Sequence, residues 1–184
     1  MVNNQNKKID KYFIPLLNKK NNKIIGFDKK ENIHKKGLLH SAVSVFIFNK
    51  KNNLMLQKRS SKKYHSSLLW TNTSCSHPNK HESILNAAHR CLKNEMGFDC
   101  KLQYKFCFTY CEIFNNGLIE NELDHVFIGY YEKNPIINHE EVESWKWINL
   151  NKLLNNINVF SKSYTVWLKI ILNKYIKKLT NNIL

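Results

Sequence analysis

The sequence predicts an α+β or α/β layered domain, and three observations lead there. Short apolar runs near the N-terminus pair up around turn residues as strands do, and one later run with 3.6-residue periodicity ends at a glycine as helices do. No Pro/Gly/Ser linker and no repeat of 20–50 residues divides the 184 residues, a length that suits one domain. Residues 1–9 are expected to be a flexible N-terminal tail and residues 10–184 a single layered domain.

Each element has its reason. Tyr12 to Leu17 and Lys23 to Phe27 flank an Asn/Lys-rich turn, and Ala42 to Phe48 and Leu54 to Gln57 repeat the arrangement around Asn49 to Asn53, so both pairs read as hairpins. From Glu82 to Met96 apolar residues fall at 84, 85, 88, 91, 92 and 96, near helical spacing, and Gly97 follows as a stop. Tyr104 to Ile113 and Leu123 to Tyr131 have strand composition. Trp145 to Ile148 reads as a short strand and Val166 to Lys177 as a closing helix.

Composition excludes several classes. With 42% hydrophobic and 12% aromatic residues the chain can bury enough surface to offset its entropy, which rules out disordered and collagen-like proteins. No apolar run reaches the ~18–20 residues of a membrane span, and the Lys/Asn-rich start lacks a signal-peptide segment, so a cytoplasmic protein with no membrane partner is expected. The net charge of +15 would ordinarily suggest nucleic acid or another anionic partner. Only Arg59 and Arg90 are arginines, however, and Lys accompanies Asn and Ile throughout, which marks a global bias; no nucleic-acid partner is expected. Five cysteines (75, 91, 100, 107 and 111) are an odd number without a CxxC pair and fit reduced thiols. As lone cysteines, 91, 100, 107 and 111 read as core or strand fillers.

The chemistry begins with the stretch Ser76-x5-Glu82-x7-Arg90-Cys91-Leu92-Lys93-Asn94-Glu95-Met96-Gly97-Phe98. It resembles the Nudix box, G-x5-E-x7-R-E-U-x-E-E-x-G-U with U apolar, at Glu82, Arg90, Leu92, Glu95, Gly97 and Phe98. Ser76 replaces the first glycine, and Cys91 and Asn94 replace two glutamates. In Nudix pyrophosphohydrolases that cluster gathers Mg²⁺, so two lost carboxylates argue against hydrolysis while leaving the loop–helix–loop scaffold. Arg90 would brace the helix through a carboxylate.

His34, His40, His77, Glu120 and Glu122 make a metal hypothesis from residue type alone. Imidazoles with carboxylates suit Mn²⁺, Zn²⁺, Fe²⁺ or Mg²⁺, and ligands scattered over separate strands are how a preformed site is built. Glu120 and Glu122, two apart, would project from one face of a strand. Any one of these histidines could equally be a surface or hydrogen-bonded residue. His65, His81, His89, His125 and His139 have no such support and read as structural or exposed.

Three flanking blocks settle the choice: Leu38-Leu39-His40-Ser41-Ala42-Val43-Ser44-Val45-Phe46, Trp70-Thr71-Asn72-Thr73-Ser74-Cys75-Ser76-His77-Pro78 and Glu120-Asn121-Glu122. Together, in order and spacing from about Lys23 to Ile171, they are similar to the signature blocks of type I isopentenyl-diphosphate isomerases. The resemblance implies a modified Nudix fold, an α/β/α sandwich with a mixed sheet, and interconversion of isopentenyl and dimethylallyl diphosphates. It implies a three-His, two-Glu site at His34, His40, His77, Glu120 and Glu122 for Mn²⁺, Zn²⁺ or Mg²⁺, and Glu95 helping to hold Mg²⁺ on the substrate diphosphate.

Cys75 matches the family's catalytic cysteine, in a polar block where metal and imidazole could stabilise thiolate. Glu122 matches the carboxylate across the substrate, Tyr110 a tyrosine assisting proton delivery, and Trp167 a cation-facing tryptophan, although an aromatic on a closing helix is more often core. Arg59 and Lys63 match the diphosphate-binding pair and Lys30 a further cation four positions before His34. A guanidinium kept in a Lys-rich chain suits bidentate grip on phosphate. Ser66-Ser67-Leu68 departs from the Gly-containing turn of many relatives. The partner expected is a small diphosphate, bound by a monomer or weak dimer. Two alternatives stand beside this reading: a Nudix hydrolase, disfavoured by Cys91 and Asn94, and a silent Nudix-fold RNA module, disfavoured by Cys75, Glu122 and the ligand set.

Overall fold

The computed structural model describes residues 13–181, so the tail expected over residues 1–9 lies outside the described residues. Strand β3 (His40–Phe48) is buried along its whole length, as a strand covered on both faces must be. On one edge it runs parallel to β8 (Ile119–Tyr130), in unbroken register from His40↔Glu122 to Phe48↔Tyr130. Its other edge is taken in turn by β1 (Phe13–Leu17) at Leu16↔His40, by β6 (Ser74–Ser76) opposite Val43, Ser44 and Val45, and by β4 (Asn53–Arg59) at Phe48↔Leu54. β2 (Ile24–Lys29) pairs with β1, β7 (Leu102–Ile113) with β8, and both β5 (Trp70–Thr71) and β9 (Val142–Asn149) with β4. Among the described residues this is one nine-stranded mixed sheet.

Period-two alternation sends side chains to two cores. Val43, Val45, Ile47, Met55 and Phe127 face helix α2 (Ile84–Met96), which contributes Ala87, Ala88, Cys91, Leu92 and Met96. Phe46, Phe48, Leu54, Leu56, Val126 and Ile128 face the opposite layer, built from α3 (Leu150–Val159), α4 (Val166–Lys174) and α5 (Ile176–Thr180). The result is the expected α+β class as an α/β/α sandwich, with a short helix, α1 (Lys30–Lys36), leading into β3. No helix among the described residues is long and apolar enough to cross a membrane.

Several boundaries differ from expectation. The helix expected from Glu82 begins at Ile84, because the Ser83 hydroxyl caps it by accepting the Asn86 amide at 3.1 Å; Gly97 ends it in the left-handed conformation, φ 73°. The second hairpin is a single residue pair, since β4 leaves β3 to pair with β9 from Asn53↔Asn149 to Arg59↔Val142, which also makes β9 longer than Trp145 to Ile148. The closing helix breaks at Tyr175 (φ −123°), whose ring packs 5.0 Å from Phe108. The sequence reading misses α1, whose two turns show no apolar stripe, and α3, an Asn-rich helix capped by the Asn149 side chain.

Candidate active site

The parallel β3–β8 pair makes the site. His40 and Glu122 lie side by side in register, and Glu120, two residues earlier on β8, shares the face of Glu122. His34 arrives from α1 and His77 from the segment just after β6, so the ligand set comes from a helix and a loop as well as strands. One donor atom from each of His34, His40, His77, Glu120 and Glu122 falls within 4.8 Å of all the others. His77 Nε2 stands 2.8 Å from Glu122 Oε1, and His34 Nε2 stands 3.1 Å from Glu120 Oε2. His40 Nε2 is 3.6 Å from Glu122 and 3.7 Å from Glu120.

The donor set fits a divalent cation. His34 Nε2, His40 Nε2 and Glu120 Oε2 are buried without any hydrogen-bond partner, a costly arrangement for three polar atoms aimed at one point unless a cation completes them. The far nitrogens are held: His40 Nδ1 lies 2.8 Å from the Leu38 carbonyl and His34 Nδ1 lies 3.0 Å from the Tyr64 hydroxyl. Burial pushes His77 well below the ordinary histidine range, with Lys30 adding to the effect, so it offers a lone pair. Burial opposes ionisation of Glu120 and Glu122, yet neighbouring imidazoles, and the Tyr110 hydroxyl for Glu122, outweigh it and hold both carboxyls at about 2.

Beside the cluster opens a cavity of about 430 Å³ lined by Lys30, Arg59, Lys63, Cys75, Glu95, Tyr110, Glu120, Glu122 and Trp167, among others. Cys75 pairs with Ser44 on one edge of β3, and Glu122 pairs with His40 on the other. Positions 40 and 44 have the same parity, so both side chains leave the same face of the sheet from strands flanking β3. Tyr110, in register with Glu122, donates its hydroxyl to Glu122 Oε2 at 2.6 Å. Burial, with the Glu95 carboxylate adding, pushes the Cys75 thiol up to about 12. That shift favours the protonated thiol.

Cations gather at the other end. Arg59 is 7% exposed; its guanidinium lies over the Trp167 ring, 5.2 Å from the centroid, with Nη1 3.9 Å from Cys75 Sγ, while Nε has no partner. Lys63 is paired with Glu141, and Lys30 sits over the Tyr64 ring at 5.1 Å. Lys30 and His34 occupy positions i and i+4 of α1 and so share its face. Glu95 of α2 points toward the cavity, accepting Gln57 Nε2 at 2.5 Å and the Cys75 amide at 3.4 Å; burial raises its carboxyl above the usual range. Arg90 instead holds Glu82 through two 2.8 Å bonds and the His77 carbonyl through a third, which anchors the loop into α2.

The block around Cys75 owes its shape to buried polar groups. Thr71, Asn72, Thr73 and Ser74 have no exposed surface. The Asn72 amide donates to the carbonyls of Val45 and Ser74, and its oxygen accepts from Trp167 Nε1 at 3.1 Å. Thr165 Oγ1 donates to Thr71 Oγ1. One turn thus positions both Cys75 and Trp167.

Two open sequence assignments take a definite form. His65 is 8% exposed and its Nε2 lies 2.9 Å from Glu120 Oε1, so it is neither exposed nor remote from the site. It enters through the loop before Trp70, where Ser66 (φ 49°) and Leu68 (φ 59°) take left-handed backbone in place of glycines; a lone His in a polar loop carries no spacing signal. Cys107 and Cys111 are exposed strand residues of β7, and Cys91 is a core residue, so both halves of the cysteine reading are found. Of the other histidines, His89 pairs with Asp99 at the surface, and His81 and His139 are exposed. Tyr64, Gln57, Asn72 and Glu141 are further site residues that the sequence reading missed.

Fold and cavity define the class. Residues 38–168 match the NUDIX domain model, and the crystal structure of DR0079 from Deinococcus radiodurans superposes with a TM-score of 0.72 at 15% identity over 89% of this chain and 99% of that one. Two relatives narrow it. Isopentenyl-diphosphate Delta-isomerase 2 of Photorhabdus laumondii is 54% identical over 81% of this chain and 84% of its own. Isopentenyl-diphosphate Delta-isomerase 2 of Aromatoleum aromaticum is 43% identical over 88% and 85%. The chain belongs to the Nudix-fold family of isopentenyl-diphosphate Delta-isomerases.

Proposed function

We propose that the protein interconverts isopentenyl and dimethylallyl diphosphates in the cytoplasm, with the five clustered donors holding Mn²⁺, Zn²⁺ or Mg²⁺ and a second Mg²⁺ arriving with the substrate diphosphate near Glu95. The observation that carries this reading is the placing of a half-buried thiol, Cys75, with a buried carboxylate and its hydroxyl partner, Glu122 and Tyr110, in one cavity on strands flanking β3. From isopentenyl diphosphate the isomerisation adds a proton to the terminal alkene carbon C4 and removes one from C2, the carbon next to the diphosphate-bearing C1, so that the double bond moves from C3–C4 to C2–C3. It needs a protonated group and an unprotonated one at the start of each turnover. Burial that keeps Cys75 a thiol, and neighbours that keep Glu122 a carboxylate, supply such a pair.

A divalent cation in the cluster would neutralise the two buried carboxylates and fix Glu122. Trp167, one of whose faces carries the Arg59 guanidinium, would stabilise a transient tertiary cation through its aromatic ring. Arg59, Lys63 and Lys30 would take the diphosphate, with Lys63 exchanging Glu141 for phosphate oxygen. Hydrolysis is less well supported. Cys91 is buried against Ser74 Oγ at 3.2 Å, Asn94 is neutral, and Glu95 is the acidic group that α2 turns to the cavity. The test is turnover of isopentenyl diphosphate by Glu122→Gln, which keeps the shape and loses the proton acceptor together with one anionic metal donor, with bound metal measured in parallel. We expect a loss of ~10²–10⁴-fold in kcat; full activity would remove Glu122 from the chemistry.

A further inference from the structure

We propose that His65 is a positioning residue that orients Glu120 for the metal, donating Nε2–H to one carboxylate oxygen and leaving the other free to coordinate; this rests on the metal-dependent reading above. The two oxygens of Glu120 have different surroundings. Oε1 lies 2.9 Å from His65 Nε2. Oε2 is buried, has no hydrogen-bond partner, and faces the equally unpartnered Nε2 atoms of His34 and His40 at 3.1 and 3.7 Å. A carboxylate pinned through one oxygen presents its other oxygen to the cluster, which makes Glu120 a one-oxygen ligand.

The imidazole is held for that task. Ser66 Oγ lies 3.3 Å from His65 Nδ1; a hydroxyl donating there leaves the ring hydrogen on Nε2, the tautomer that Glu120 requires. Ser66 reaches back because its backbone is left-handed, φ 49°. The ring is stacked on Phe114 at 4.8 Å and meets Tyr64 edge-on at 4.6 Å, so it has one orientation. The His65 carbonyl also accepts from Arg59 Nη2 at 3.3 Å, which ties the anion-binding arginine to the residue that orients the metal ligand.

Two substitutions separate positioning from packing. His65→Phe keeps the flat ring against Phe114 without a donor, and His65→Gln keeps a donor at similar reach without the ring. Metal-free proteins of matched thermal stability would be titrated with Mn²⁺, with free ion read by electron paramagnetic resonance. The expected result is ~10–100-fold weaker Mn²⁺ binding by His65→Phe, as for other groups that orient ligands, and near wild-type binding by His65→Gln. A His65→Phe protein that binds Mn²⁺ as wild type does, or better than His65→Gln, overturns the proposal. So does ¹⁵N NMR of the wild-type protein finding the His65 proton on Nδ1 rather than Nε2. Wild-type protein that shows this Mn²⁺ pattern but does not turn over isopentenyl diphosphate would strike the functional reading alone.

Discussion

Cys75 and Arg59 are neighbours in the cavity, with Sγ and Nη1 3.9 Å apart, yet they should fail differently when removed. Cys75→Ala deletes a group that acts only while a proton moves, so kcat should fall by ~10²–10⁴-fold with KM nearly unchanged. If Arg59 grips the diphosphate as proposed, Arg59→Ala deletes a charge-assisted bond in ground and transition states alike, so KM should rise more than kcat falls. Steady-state kinetics on both variants checks the contrast; the same pattern for both would mean that one role is misassigned. At this scale most of the site was legible. Glu120 and Glu122 announce a shared face by their spacing, and His40, His77 and Cys75 lie in distinctive blocks. His65 was not legible, because its contact with Glu120 spans 55 positions and depends on the left-handed backbone at Ser66 and Leu68, which the local residue types do not signal. The protonation of Cys75 was also hidden, since burial is a property of the fold.

Helix α2 carries its instructions in sequence: an N-cap serine, a 3.6-residue apolar stripe and a C-terminal glycine. Gly97 does more than end it. A Cβ there would sit 2.1 Å from the Ile136 carbonyl oxygen, on backbone already at φ 73°, so Gly97→Ala should cost at least ~2 kcal/mol. Urea unfolding measures this, and a change under ~0.5 kcal/mol would contradict the contact. The loop into α2 is held by Glu82 and Arg90. Burial raises the Glu82 carboxyl, but the Arg90 bond, the Asn79 amide and the Arg90 charge together outweigh it and leave it below the ordinary value of 4.5. A carboxyl lowered by folding stabilises above its unfolded value, and that contribution disappears as pH falls through the folded one. Glu82→Gln should therefore lose less stability than wild type when the pH is lowered from ~5 to ~3. Parallel melting curves across that interval test it; identical acid limbs would mean that the pair contributes nothing. Helix α1 was not legible because its charged turns carry no apolar stripe, whereas α3 was missed although Leu150, Leu153, Leu154 and Ile157 fall at helical spacing, because the asparagines between them read as loop.

For the whole molecule, the decisive feature is a long-range one. Strand β8 docks parallel to β3 across some eighty positions, from His40↔Glu122 to Phe48↔Tyr130, and that register brings Glu120 and Glu122 to His40, where α1 and the segment after β6 add His34 and His77. Local pattern indicated the strands but not their order or direction, so the expected β3–β4 hairpin shrank to one pair once β9 claimed β4. The charge of +15 is likewise a whole-molecule property, yet at the cavity the cations that count are Lys30, Arg59 and Lys63, set against carboxylates that an anion-binding surface for RNA would not need. Isomerisation is tested most directly by incubating the purified protein with isopentenyl diphosphate in D₂O and following the products by proton and phosphorus NMR. The account predicts dimethylallyl diphosphate, deuterium at the carbons that exchange protons, and no free phosphate or pyrophosphate. Stoichiometric phosphate or pyrophosphate release, with the alkene unmoved and unlabelled, would contradict it.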